Sequence, residues 1–139
     1  MITGICDNKE LKQFFNSHNN VKFLGFLSDE ELFKKCLEID VFINPRRIDF
    51  LPNEFNFPSK LLYYMQFDKP IISSITKGIS PDFKEALIPI NGDAIESYLN
   101  TLTIFDNFSD DEIDLKLKKQ IQIKKKLSKD VIPDLISIK

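Results

Sequence analysis

The chain has 139 residues, 42% of them hydrophobic and 29% charged, which is typical of one soluble globular domain with a single core. The net charge of −2 at pH 7 provides no basic field, so a nucleic-acid partner is not expected. The sequence contains no signal-peptide core and no run of about 18 apolar residues, so we predict a cytoplasmic protein.

The first third of the chain alternates short apolar runs with helical patterns. Continuous apolar runs predict strands at 2–5, 21–25 and 41–45. The first intervening helix carries Leu11, Phe14 and Phe15 on one face, and the second begins at a Ser28 to Glu31 capping box. Its predicted apolar face consists of Leu32, Phe33, Cys36, Leu37 and Ile39. This alternation predicts an α/β fold, with a parallel sheet and helices on both faces.

The two cysteines, Cys6 and Cys36, lie far apart and lack metal-ligand spacing. A cytosolic chain has little reason to pair them, so we expect both to be small buried apolar residues. No Asp-x-Asp metal motif and no Cys or His cluster occurs in the sequence, so no metal is expected.

A polar loop, predicted at 46–56, follows the third strand and holds Arg46, Arg47, Asp49 and Glu54. Ligands of open parallel sheets bind outside the carboxyl ends of the strands, which is where this loop lies. The arginines are therefore candidate contacts for an anionic ligand, although a basic pair on a loop is also common on a solvated surface.

A helix is predicted to begin after Pro58 and Ser59, with Leu61, Leu62 and Met65 on its apolar face. The segment 68–70 ends this helix at a proline, and a buried strand follows at 71–74. The first amides of the helix, those of Ser59, Lys60 and Leu61, have no partner within it and could bind an anion beside the Lys60 ammonium. The alternative is an ordinary helix start with a solvated lysine.

The last part of the chain is predicted to form a loop at 76–82, a strand at 86–90 and two helices. The second helix begins at a Ser109 to Glu112 cap. The run 116–129 is rich in lysine, which fits either a solvated helix face or attraction to an anionic membrane surface. The tail, 131–136, is apolar enough to dock on the body.

Three segments together resemble one enzyme family. The stretch 57–72 reads F-P-S-K-L-L-Y-Y-M-Q-F-D-K-P-I-I, similar to F-P-S-K-L-x-E-Y-M-A-x-G-K-P-I-I in the donor-binding domain of retaining GT-B glycosyltransferases. These are the group 1, family 4 type of bacterial capsule and surface-polysaccharide synthesis. V-K-F-L-G-F at 21–26, followed by Glu31 and Leu32, and D-V-F-I-N-P at 40–45 resemble two further family motifs in the same order.

The resemblance implies a Rossmann-like fold, the C-terminal domain of a GT-B enzyme. Residues 1–139 would form one donor-binding domain without its first strand-helix unit and without the N-terminal acceptor domain. The implied contacts of the nucleotide-sugar are Gly25 and Phe26 near the base, the amides of Ser59 and Lys60 at the diphosphate, and the motif residues Asn44, Pro45 and Pro58. Arg46 and Arg47 are further candidates for the diphosphate. The resemblance implies neither a metal nor another cofactor.

The sequence departs from the family at its pair of glutamates. The two positions hold Phe55 and Tyr63, while Glu54 lies one residue early. We expect Tyr63 to offer a single hydroxyl and Glu54 to be either a substitute ligand or an ordinary loop acid. Loss of a carboxylate hydrogen bond worth about 1.5–3 kcal/mol predicts donor binding weaker by about ten- to a hundredfold.

The implied reaction is transfer of a hexose from a nucleotide-diphosphate sugar to a saccharide or lipid-linked acceptor at the inner face of the membrane. The isolated chain is expected to be inactive and to need a partner chain that carries the acceptor domain. The alternative is a non-catalytic or degenerate module, one half of a split transferase. An unrelated doubly wound domain, such as a signalling receiver, fits poorly because residues 1–7 offer only Asp7 as an acid.

Overall fold

The structure, a computed structural model, describes the backbone of residues 1–130 and the side chains of residues 1–128. The chain divides into two compact units, Met1–Glu38 and Ile39–Lys139. The predicted docking of the tail at 131–136 lies outside the described residues.

The N-terminal unit contains two helices, α1 (Lys9–Ser17) and α2 (Asp29–Leu37). Each begins at a side-chain cap: the Asn8 side chain accepts from the Leu11 amide, and Ser28 forms the predicted capping box with Glu31. The first two predicted strands are reduced to one parallel bridge between Ile2 and Phe23.

The physical reason for these short strands lies in their glycines. Gly4 and Gly25 have φ values of 129° and 66°, which interrupt the extended backbone that a strand requires. The Gly4 amide still donates to the Gly25 carbonyl at 2.8 Å, so the two segments stay adjacent beyond the bridge.

Burial in the N-terminal unit differs from the prediction. Cys36 is buried, but Cys6 is only half-buried, and its Sγ lies 3.7 Å from the Asn8 carbonyl oxygen. Phe33 and Leu37 of the predicted apolar face of α2 are exposed. The prediction was therefore wrong for these three residues because α2 turns mainly the Cys36 side inward.

The C-terminal unit contains a three-stranded parallel sheet with strands β1 (Phe42–Asn44), β2 (Ile71–Ser74) and β3 (Ile88–Ile90) in that order. The register aligns Ile43 with Ile72, and Ile72 with Ile88. The helices of this unit are α3 (Leu51–Phe55), α4 (Lys60–Tyr64), α5 (Pro81–Ala86), α6 (Ile95–Asp106) and α7 (Asp110–Asp130), with a 3₁₀ turn at Met65–Phe67 after α4.

Helices cover both faces of the central strand, all four residues of which are buried. On one face, Ile72, Ile88 and Ile90 form a core cluster against which Tyr98 and Phe105 of α6 pack. On the other face, Phe42 stacks on Tyr64 of α4 with ring centroids 4.4 Å apart. The predicted fold class, an α/β fold with a parallel sheet flanked by helices, is confirmed.

The segment after Pro58 follows its predicted course with one exception. Leu61 and Met65 are fully buried, but Leu62 is exposed, so the predicted apolar face is one residue too wide. Asp68 ends the segment in the left-handed conformation (φ 50°), after which Pro70 precedes β2. Asp68 also forms an ion pair with Lys124 of α7.

The lysines of α7 turn largely toward acids of the same unit. Lys119 pairs with Glu85 at 2.7 Å, Lys126 pairs with Asp82 at 2.8 Å, and Lys116 donates to the Glu85 carbonyl oxygen. Part of the basic run is thus used within the unit. Among the described residues, no helix is both long and apolar enough to cross a membrane.

Candidate functional site

The carboxyl ends of the strands are joined by buried polar side chains. Asn44, at the end of β1, donates from Nδ2 to Ser73 Oγ of β2 at 3.0 Å, and both residues are buried. The backbone amide of Arg46 donates to Ser74 Oγ, also at 3.0 Å. These bonds hold the start of the 46–56 loop against the end of the central strand.

Asp93 holds the same loop from the other side. It follows β3, and its carboxylate accepts hydrogen bonds from the backbone amides of Ile48 at 2.7 Å and Asp49 at 3.0 Å. The segments that follow β1 and β3 are therefore connected above the carboxyl edge of the sheet, where ligands of parallel sheets bind.

The two arginines of the loop have different environments. Arg47 is 72% exposed and donates through Nε and Nη2 to the two carboxylate oxygens of Asp49 at 3.0 and 2.8 Å. This hydrogen bonding lowers the pKa of Asp49 and raises the pKa of Arg47. Arg46 is half-buried, and its buried Nη1 has no hydrogen-bond partner within residues 1–130.

A second buried polar atom without a partner lies after the next strand. Thr76, two residues beyond β2, is 1% exposed, and its Oγ1 has no hydrogen-bond partner in the described part of the chain. Buried polar groups are nearly always hydrogen-bonded, so two such atoms on neighbouring loops indicate a polar network that a bound group could complete. A guanidinium donor and a hydroxyl suit an anionic or polyhydroxylated ligand.

Glu54 is engaged by another loop. Its Oε1 lies 2.8 Å from Lys77 Nζ, which links α3 to the loop after β2. The same loop approaches the chain closely at Gly78, where an added Cβ would lie 2.7 Å from the Asn56 carbonyl oxygen. Glu54 thus acts in this structure as a brace between loops.

The start of α4 offers fewer amides than predicted. The Leu61 amide donates to the Pro58 carbonyl at 2.9 Å, so the prediction that it lies open to a ligand was wrong. Ser59 provides no side-chain cap, and Lys60 is exposed. The amides of Ser59 and Lys60 have no backbone partner among the described residues.

The remaining predicted site residues are divided between the two units. Gly25, with its positive φ, and the exposed Phe26 belong to the N-terminal unit. In the C-terminal unit, Pro45 is exposed, Pro58 is buried and the Tyr63 ring packs edge-on against Phe67 at 5.3 Å. The described residues contain no cluster of three or more side chains suited to hold a metal ion.

Sequence reasoning missed the residues that tie the loops together, namely Ser74, Thr76, Lys77 and Asp93. A signal for three of them was present, because Ser74, Thr76 and Asp93 are polar residues at or just beyond the end of a predicted strand. Lys77 carries no such signal because its partner is 23 positions away.

Comparisons with known proteins identify no relative. No model of a protein family matches the chain, and no curated protein matches it.

Proposed function

We propose that the chain is a donor-binding domain that binds the diphosphate of a nucleotide-sugar at the carboxyl edge of its sheet. The resemblance of three sequence segments to GT-B glycosyltransferases supports this function. In a full enzyme the sugar would pass to a saccharide or lipid-linked acceptor, with the acceptor domain supplied by another chain. No cofactor is part of the proposal.

The observation that carries the proposal is the unpartnered, buried Nη1 of Arg46. Leaving a charged donor buried without a partner costs about 1–3 kcal/mol or more, a cost that a bound phosphate oxygen would remove. The Arg46 backbone is fixed by Ser74, so the guanidinium extends from an anchored position. Anchoring reduces the conformational entropy lost on binding.

Lys60 and the open amides of Ser59 and Lys60 would add to this site. The start of α4 contributes only a weak field because the helix is five residues long. We therefore assign the main electrostatic contribution to Arg46 and a secondary one to Lys60. Release of the diphosphate leaving group would be stabilised by these fixed donors.

The experiment compares two adjacent arginines by calorimetric titration with UDP and GDP. Arg46→Gln should weaken nucleotide binding by about ten- to a hundredfold, because a charge-assisted hydrogen bond is worth about 1.5–3 kcal/mol. Arg47→Gln is the matched control, since Arg47 is exposed and already paired with Asp49. Equal effects of the two substitutions would contradict the assignment.

A second candidate, a non-catalytic half of a split transferase, is supported by the state of the acids. Phe55 and Tyr63 occupy the two positions of the family's glutamates, and Glu54 is paired with Lys77. This candidate predicts nucleotide binding without transfer or hydrolysis of the donor sugar. Recovery of transfer on addition of a chain with the acceptor domain would favour the catalytic alternative.

A further inference from the structure

One flank of α6 carries large apolar side chains that the unit does not cover. Tyr98, Thr101 and Phe105 turn inward, whereas Ile95, Leu99 and Leu102 are exposed. These three residues recur at i, i+4 and i+7, so they form a continuous stripe along almost two turns. Leu99, at its centre, is 57% exposed.

The sheet beneath this flank is also open at β1. Ile43 has the same register position as Ile72, so its side chain lies on the face that α6 covers, yet it is 44% exposed. Strands are about 4.8 Å apart and a helix is about 10 Å wide, so α6 can cover only two of the three strands. The bare strip over β1 is therefore about as wide as half a second helix, and the adjoining flank of α6 extends it.

The handedness of the fold places the two apolar surfaces side by side. Parallel crossovers are right-handed, and α4 lies on the opposite face of the sheet from α6. Because α6 follows β3 and returns antiparallel to the strands, successive residues turn 100° clockwise when viewed from its N-terminus. With Tyr98 and Phe105 toward the sheet, the Ile95, Leu99 and Leu102 stripe faces the β1 side.

The ionised groups around this groove are acidic. On α6 they are Glu96 and Asp106, and just before β1 there is Asp40. None of the three forms an ion pair within the described residues. Asp106 also lies in the last turn of α6, where a negative charge opposes the helix dipole. A partner with cations at both ends of an apolar stripe would complement this surface.

From these observations we propose that the groove between α6 and β1 binds an amphipathic helix with Leu or Ile on one face and Lys or Arg near both ends. Glu96 and Asp106 are ten residues apart, about 15 Å along α6, so the cations should be separated by a similar distance. A second copy joined α6 to α6 is disfavoured because its acids would meet those of the first. The proposal does not depend on nucleotide binding.

The test uses the full chain and two fluorescent synthetic helical peptides of about 14 residues, with the same leucine stripe and either lysines or glutamates at the ends. The lysine peptide should bind at least about tenfold more tightly than the glutamate peptide. Leu99→Asp should abolish this binding. Leu115→Asp is the matched control, because Leu115 on α7 is 56% exposed, and should leave it unchanged.

The charges are tested by exchange. The double variant Glu96→Lys with Asp106→Lys should reverse the preference, so that the glutamate peptide binds more tightly. Circular dichroism checks that each variant is folded. Absence of binding, equal binding of the two peptides, or an equal effect of Leu115→Asp would overturn the proposal. Self-association that Leu99→Asp abolishes would overturn it as well, because a second copy would then occupy the groove.

Discussion

The Asp93 carboxylate accepts a hydrogen bond from the Ile48 amide at 2.7 Å, across 45 positions of sequence. It accepts a second bond from the Asp49 amide and so fixes the loop that contains Arg46. Asp93→Ala should speed hydrogen exchange of the Ile48 and Asp49 amides and weaken UDP or GDP binding severalfold. Exchange measured by mass spectrometry checks this, with Asp114→Ala on exposed helix α7 as the control. Unchanged exchange at both amides would contradict the role of Asp93.

The Glu54–Lys77 ion pair should contribute little to stability. Lys77 is largely exposed, so the pair should contribute about 0–1 kcal/mol to the free energy of unfolding. A double-mutant cycle with Glu54→Ala and Lys77→Ala, followed by urea unfolding, measures this coupling. We expect Glu54→Ala to leave nucleotide affinity unchanged, since the carboxylate braces a loop. A tenfold loss of affinity would instead make Glu54 a ligand of the donor.

Gly78 should tolerate no side chain. A Cβ at this position would lie 2.7 Å from the Asn56 carbonyl oxygen and 2.8 Å from its carbon, both of them backbone atoms that cannot rotate away. Gly78→Ala should therefore lower the free energy of unfolding by about 1–3 kcal/mol. Ser80→Ala is the control, because the Ser80 side chain makes no capping bond and should be nearly neutral. Thermal or urea unfolding that fails to separate the two would refute this.

The Ser109 cap of α7 should show a defined pH dependence. The Ser109 backbone and hydroxyl donate to the Glu112 carboxylate, which lowers the Glu112 pKa below its ordinary value of 4.5. Because the folded-state pKa is lowered, the stabilisation is present above the unfolded value and is lost as the pH falls through the folded one. Ser109→Ala should cost about 1 kcal/mol at neutral pH and less at about pH 3.

Urea unfolding of both proteins at the two pH values gives the comparison. Thr103→Ala is a suitable control, because its hydroxyl bonds only to the Leu99 carbonyl within exposed α6 and involves no ionisable group. A cost of Ser109→Ala that stays constant with pH would mean that the Glu112 half of the cap is not formed.

Local signals predicted the elements that they fully specify. β2 occupies the predicted 71–74, and both capping boxes, at Ser28 and Ser109, form as expected. Each depends on residues that are close in sequence: an apolar run after a proline, or a serine three residues before a glutamate.

Short helices and long-range contacts escaped prediction. α3 and α5 contain five and six residues within segments predicted mainly as loops, and each has a proline in its first turn but no side-chain cap. α5 also ends at Ala86, the residue where a strand was predicted to begin. The bonds that organise the site join residues 23 to 45 positions apart, so no local pattern predicts them.

The most direct measurement is calorimetric titration of the chain with UDP and GDP, with uridine and guanosine alongside. The account predicts that a nucleoside diphosphate binds and that the matching nucleoside binds at least about tenfold more weakly, because the diphosphate would complete the Arg46 network. Equal binding of nucleoside and diphosphate, or no binding at millimolar concentrations by a chain shown to be folded, would contradict it.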